Sequence, residues 1–231
     1  MTQARSRLTF LIAEAVLIVV SILLAFAIDA AWSQRQEAQR RVDLLESLRA
    51  DFTATSLALA EAIEEGSGVA AQTGGYLDAA RANSDVSRDS LVSLFSGVDG
   101  VAFFEPNLPS YRTAVSTGSI DLVRSDPLIA ALTDFDFAHA LYQLHLDVSA
   151  DLYYLGPLQD LRRAGVALDA PSLRRANDAI RVPSDFDLHG SLAISSAEPI
   201  YTVQVNMLQN LEDMQGATAR VIELLESLLA G

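Results

Sequence analysis

Asp136, His139 and Tyr142 follow one another at intervals of three, so on a helix they share one face, and His145 stands two residues before Asp147. A carboxylate beside an imidazole can relay a proton or begin a metal centre. A metal centre also needs third and fourth ligands, and nothing elsewhere in the sequence points to them. The pattern therefore reads as a helix-face hydrogen bond or a partly buried imidazole. His189, the last of the three histidines, stands in a polar stretch and is expected to be exposed. Asp134-Phe135-Asp136-Phe137 and Asp185-Phe186-Asp187-Leu188 alternate acids with apolar residues, as a calcium loop can. EF-hand spacing and its glycine are missing, so the likeness is one of composition. No nucleophile elbow, phosphate loop or zincin motif occurs, and Gly74-Gly75 is not followed by lysine. The absence of cysteine excludes disulfides, thiolate zinc sites and cysteine nucleophiles. No catalytic residue, cofactor or metal is assigned, and the expected protein is not an enzyme.

The residue that stands out is Glu14, because of where it lies. From Leu8 to Trp32 the chain reads LTFLIAEAVLIVVSILLAFAIDAAW, in which only Thr9, Glu14, Ser21 and Asp29 are polar. A membrane-spanning helix takes about 20 apolar residues, and this stretch has the length with modest tilt. Trp32 sits where an interfacial aromatic belongs. A carboxylate inside such a helix costs several kcal/mol unless it is paired, protonated or hydrated at the interface. Glu14 is therefore either a polar contact between membrane helices or a carboxylate wetted near the membrane surface, and Asp29 is close enough to the far interface to be solvated.

Two other readings of this segment compete with a retained anchor. Arg5 and Arg7 resemble the basic region of a signal peptide, with Ala25-Phe26-Ala27 as a cleavage site, but Glu14 interrupts the apolar core and the helical pattern runs on past the site. Phe10 and Glu14 have the spacing of a type IV pilin N-terminus. That family requires glycine before the phenylalanine, where this chain has Thr9, and continues into a sheet. The anchor reading gives a basic leader (1–7), a transmembrane helix (8–32) and an acidic all-helical domain (33–231).

Charge separates these parts. The formal net charge is -14, while residues 1–32 carry Arg5, Arg7, Glu14 and Asp29 and so balance. All the net negative charge falls on the remainder, which argues against nucleic-acid binding and for a domain that stands off anionic lipid. Arginines flank the span on both sides, so orientation is weakly marked. A short basic leader usually stays in the cytoplasm, which places the C-terminal domain in the periplasm of a bacterial inner-membrane, single-pass protein.

Beyond Trp32 the sequence predicts an all-α fold. Leu45, Leu48, Phe52, Leu59 and Ile63 form one stripe, so the membrane helix continues as an amphipathic helix to about residue 64, with a solvated face at Arg40, Asp43, Glu46 and Arg49. Gly66, Gly68, Gly74 and Gly75 predict a loosened stretch. Short helices are expected over 76–82, 87–96 and 111–117, the last stopped by Gly118. Asp126-Pro127 predicts a capping residue followed by proline at the first helical position, opening a helix that reaches Tyr154 with Leu128, Leu132, Phe135, Ala138 and Tyr142 inward. Further helices are expected over 158–164 and from Pro171, then an irregular segment over 182–195. The best strand candidate is Val101–Phe104. Phe103-Phe104 with Pro106 and Pro109 reads as an apolar loop over the core, with a contact surface as the alternative. The last helix carries an unbroken seam at Ile200, Val203, Met207, Leu211, Met214, Thr218, Val221, Leu225 and Leu228. That seam suits a bundle or coiled coil and needs the stripe of the post-membrane helix as its partner, within the chain or between protomers.

Glu14, the Leu17–Val20 run, Leu24-Ala25, Asp29 and Trp32, followed by Arg35 and Glu37, resemble an uncharacterised bacterial family of single-span membrane proteins. Thr117-Gly118, Leu122-Val123 and Asp126, continued by Leu128 and Leu132, resemble its middle region. Ser21 stands where glycine is common in that family, and the spacing from Asp29 to Trp32 is wider than usual. The resemblance implies a single-span helical protein and supplies no activity. Three functions follow in order: a membrane-anchored helical scaffold that binds itself or another envelope membrane protein, a membrane-tethered ligand-sensing helical domain, and an enzyme with an unfamiliar site.

Overall fold

The structure is a computed structural model that describes residues 2–168 and 180–230, with side chains from residue 20 onward and at Leu17. Among the described residues, six α-helices carry the fold: α1 (Thr2–Arg81), α2 (Arg88–Phe95), α3 (Pro109–Thr117), α4 (Asp126–Tyr154), α5 (Pro157–Arg163) and α6 (Ser191–Ala230). Two 3-10 turns, Ser96–Asp99 and Ser119–Val123, join them. Among the described residues there is no strand, and the bridge Ala167–Arg181 is isolated. Val101–Phe104, the strand candidate, is irregular chain. The helix expected from Pro171 falls outside the described residues.

The frame is an antiparallel pair, α1 and α6, with α4 laid against both. Register is fixed by contacts along its length: Arg81 pairs with Glu198 (2.7 Å), Gln215 donates to the Ser56 hydroxyl (3.0 Å), and Asn210 meets His145 of α4 (2.7 Å). The expected stripe of α1 is buried at Leu45, Leu48, Phe52 and Leu59, and that of α6 at every position from Ile200 to Leu225. The partner of the α6 seam therefore lies in the same chain. Phe52 of α1 meets Phe135 of α4 edge-on at 5.4 Å. A second apolar cluster at the far end joins Tyr76 and Leu77 to Phe95, Leu161, Leu188 and Ala197.

The loosened stretch at Gly66–Gly75 is not there: α1 runs through it to Arg81, so the expected helix over 76–82 is only its last turn. Two of these glycines mark close packing instead. A Cβ at Gly74 would lie 3.0 Å from the Tyr201 ring, and one at Gly66 would lie 3.3 Å from the Ala102 Cβ. Local glycine propensity, about 1 kcal/mol each, yields to burial along a long helix.

Caps follow the sequence more closely. Ser87 caps α2 by accepting from the Ser90 N–H, and Gly118 ends α3 at φ 74°. For α4 the cap is Ser125, whose hydroxyl faces the Leu128 N–H at 3.4 Å, so Asp126 and Pro127 already belong to the first turn. The start of α3 lacks a local cap, and α1 provides one: the Asp51 carboxylate accepts from the Ser110 N–H (2.7 Å) and the Tyr111 N–H (3.3 Å). The irregular segment before α6 ends at Gly190 rather than 195, where the Asp187 carboxylate accepts from the His189 N–H (3.0 Å) and closes the turn. Pro199 lies inside α6 and removes one rung of its ladder.

The segment 8–32, expected as a transmembrane helix that continues into an amphipathic one, does run on without interruption. It is the first part of α1, with no break at Trp32. Among the described residues, no helix is long and apolar enough to cross a membrane.

Candidate functional site

The polar residues that suggested chemistry are separated by the fold. Asp136 accepts a hydrogen bond from the Tyr111 hydroxyl (2.6 Å) and has none with His139. Burial, then the bond to Asp136, pushes the Tyr111 hydroxyl well above its ordinary range. His139 lies nearly parallel to the Phe135 ring (6.4 Å between centroids, 17°), with Gln143 at 3.2 Å and the Glu105 carboxylate at 4.0 Å. Tyr142 is fully buried: its hydroxyl accepts from the Phe104 N–H (2.8 Å) and donates to the Ala102 carbonyl (2.7 Å). Burial is the main reason that this hydroxyl is pushed up to about 12. His145 joins α4 to Asn210 of α6, as noted above. His189 is half-buried rather than exposed, because its Nδ1 lies 3.3 Å from the Ala80 carbonyl at the end of α1. Each histidine thus ties a different pair of segments. Among the described residues, no group of three or more His, Cys, Asp or Glu could hold a metal ion.

What the fold leaves open is apolar. From residue 20 to residue 36 every side chain of α1 is exposed, on all faces of the helix. Leu17, Val20, Ile22, Leu23, Leu24, Phe26, Ile28 and Trp32 are all at the surface, Phe26 at 68% and Trp32 at 62%. A helix that is apolar all round belongs in a large core or in lipid, and here it extends beyond the core that begins at Leu45. Glu14 lies in this arm of α1, and its side chain is outside the described residues.

A second apolar surface runs along α4. Phe137, Leu141, Leu144 and Val148 step by four, three and four on the side turned away from the buried stripe. Phe137 is 66% exposed. It borders a groove of about 440 Å³ between α4 and α6, with Ala138, Leu141, Gly216 and Ala217 along its apolar part and Asp134, Glu212, Asp213 and Arg220 at its polar part. The outward stripe has its own spacing of three and four in the sequence, the same signal that the inward set carries. The Phe103-Phe104 loop divides its roles: Phe104 is buried and Phe103 is exposed.

No family model, curated protein or solved structure matches the chain.

Proposed function

We propose that the chain is a membrane-anchored helical scaffold whose domain binds a second copy of itself or another envelope membrane protein. The observation that carries the anchor is the arm of α1, apolar over residues 20–32 and exposed on every face. Transferring a large, fully exposed apolar side chain from water is worth about 1.5–3 kcal/mol, so these eight, each half to two-thirds exposed, together favour lipid by about 7–15 kcal/mol. That rivals the entire folding stability of a typical domain. The segment upstream, from Leu8 to Val19, adds the remaining apolar length in sequence. The resemblance of Glu14, Asp29 and Trp32 to single-span bacterial membrane proteins supports the same reading, with the span in the inner membrane and the domain in the periplasm.

The groove between α4 and α6 supports the binding half of the proposal. It offers an exposed phenylalanine beside small residues, edged by three carboxylates and one arginine. A partner helix with apolar residues every three or four positions and basic flanks complements it. The enclosed space beside Val98, Leu158 and Ile200, by contrast, is about 20 Å³, room for a water and not for a metabolite.

Alkaline carbonate washing of native membranes tests the anchor: the full-length chain is expected to stay in the pellet, and its release would overturn the reading. Cross-linking in the same membranes is expected to give a discrete complex that Phe137→Asp weakens. A chain that remains monomeric and uncross-linked to any other protein would overturn the scaffold.

A further inference from the structure

At the foot of the bundle, where the apolar arm meets the folded domain, α1 and the 3-10 turn Ser119–Val123 enclose a cleft of about 370 Å³, lined by Gln34, Glu37, Ala38, Arg41, Leu122 and Arg124. We propose that this cleft binds the phosphate of an anionic lipid headgroup. The inference rests on the anchored reading and names the lipid chemistry that the anchored domain recognises.

Three observations carry it. The first is a donor without an acceptor: Arg41 Nε is shielded from solvent and has no hydrogen-bond partner in the protein. Such a donor favours any oxyanion that can reach it, and because the nitrogen is shielded, a phosphate in the cleft meets it only when the Arg41 side chain turns toward the cleft that it lines. The second is charge. Arg124 reaches α1 and pairs with Glu37 while keeping two-thirds of its side chain exposed, which leaves donors of its planar fork free for a phosphate. The cleft is lined by two arginines and one glutamate in a chain whose formal net charge is -14, and Arg35 and Arg40 stand exposed on the same stretch of α1 outside its lining. Asp121 and Asp126 lie near Arg124 in sequence but do not line the cleft. The acidic body stands off an anionic surface, and this basic collar is the part that touches it.

The third is depth. Gln34 and Arg41 lie two and nine positions past Trp32. At 1.5 Å per residue that is ~3 and ~14 Å along the axis. The polar layer on each side of a bilayer is roughly 5–8 Å thick, and helical side chains lean toward the N-terminus, here toward the lipid. Gln34 and Glu37 therefore stand at headgroup level, and Arg41 reaches back to it. Arg124 has a left-handed backbone (φ 48°), an uncommon state for arginine, at the corner where the chain turns from the 3-10 turn into α4.

The test uses the full-length chain in neutral detergent micelles, titrated with dihexanoylphosphatidylglycerol, dihexanoylphosphatidylcholine or inorganic phosphate, with the thermal midpoint as readout. The anionic lipid is expected to raise the midpoint by about 3–5 °C at ten times its Kd, and the zwitterionic lipid is not. Arg41→Gln and Arg124→Gln should each remove most of the difference, while Arg81→Gln at the opposite end of α1 should keep it. Equal shifts with both lipids, no shift, or a loss with Arg81→Gln that matches the cleft variants would overturn the site. An equal shift with inorganic phosphate would assign it to the free ion and overturn the lipid. Micelles do not depend on membrane retention, so the two readings fail separately: carbonate release of the wild type sinks the anchor, and a retained chain without a lipid-specific shift sinks the cleft.

Discussion

Replacing Tyr142 by Phe removes one oxygen and leaves two buried backbone groups, the Phe104 N–H and the Ala102 carbonyl, without partners. The ring stays, together with its edge-on contact to Phe104 (6.4 Å, 77°), so little packing is lost. An unmet buried donor or acceptor costs about 1–3 kcal/mol, and part is returned because the hydroxyl itself no longer needs desolvation. The net expectation is a loss of about 2–4 kcal/mol. Urea unfolding of the full-length chain in mild detergent, followed by helical circular dichroism, should show a lower midpoint with an unchanged slope. Hydrogen exchange at the Phe104 amide should quicken by more than the global loss explains. Tyr111→Phe is the internal control: its hydroxyl meets the exposed Asp136 carboxylate, which water can rehydrate, so it should cost less than Tyr142→Phe. If Tyr142→Phe falls within about 0.5 kcal/mol of wild type, or Tyr111→Phe is the more damaging change, the hydrogen-bond reasoning is wrong.

Other outcomes follow from the same packing. Gly97→Ala places a Cβ 2.8 Å from the Thr73 backbone nitrogen, which cannot yield without moving α1. A loss of about 1–3 kcal/mol in the same unfolding assay is expected, and wild-type stability would contradict it. Pro199→Ala restores a rung inside α6 and should stabilise by about 1–3 kcal/mol; a fall would mean that the chain needs the proline. Tyr76, Tyr111 and Tyr142 are all shifted upward, chiefly by burial, so the folded state holds phenolic protons that the unfolded chain releases near pH 10. Their contribution is complete below pH 10 and lost as pH rises toward about 12 through the Tyr142 value. The part of the tyrosinate absorbance due to these three of the six tyrosines should lag and then rise with loss of helicity, and complete ionisation near pH 10 with helicity intact would refute this. Glu14→Gln should change recovery of a cross-linked partner if the carboxylate makes a helix contact; unchanged recovery would leave it a bystander.

The parts of the fold legible in the sequence are those where period and burial agree. The inward stripe of α4, and that of α6 from Ile200 to Leu225, are buried position by position, with Leu228 at the end of α6 only partly covered, because an unbroken seam of three and four has one way to be covered within a bundle. Punctuation was less reliable. Four glycines within ten residues read as a break, yet α1 continues, since a helix held by α6 along its length tolerates local penalties of about 1 kcal/mol. The contribution of Asp51 to the start of α3 was illegible for another reason: its carboxylate and the Ser110 N–H are 59 positions apart, and no local pattern announces a cap delivered from another helix. The arginine cleft has the same character. Arg35, Arg40 and Arg41 were visible as flanking charge, but Arg124 joins them only through the tertiary path of the chain.

On the proposed anchored reading, that path lets one continuous helix serve two environments. Burial of Leu45, Leu48 and Phe52 against α4 and α6 fixes the direction of α1 at the foot of the bundle. No glycine or proline lies between Arg5 and Phe52, so that direction is transmitted into the apolar arm without a hinge. If the arm is the anchor proposed above, a junction of this kind sets the tilt of the domain instead of merely tethering it. Inserting two glycines after Gln34 would keep the anchor and the bundle but uncouple their orientations. Cross-links that depend on the facing of the α4 groove should then be lost while carbonate resistance persists, and cross-linking that survives the insertion would show that the scaffold needs proximity alone.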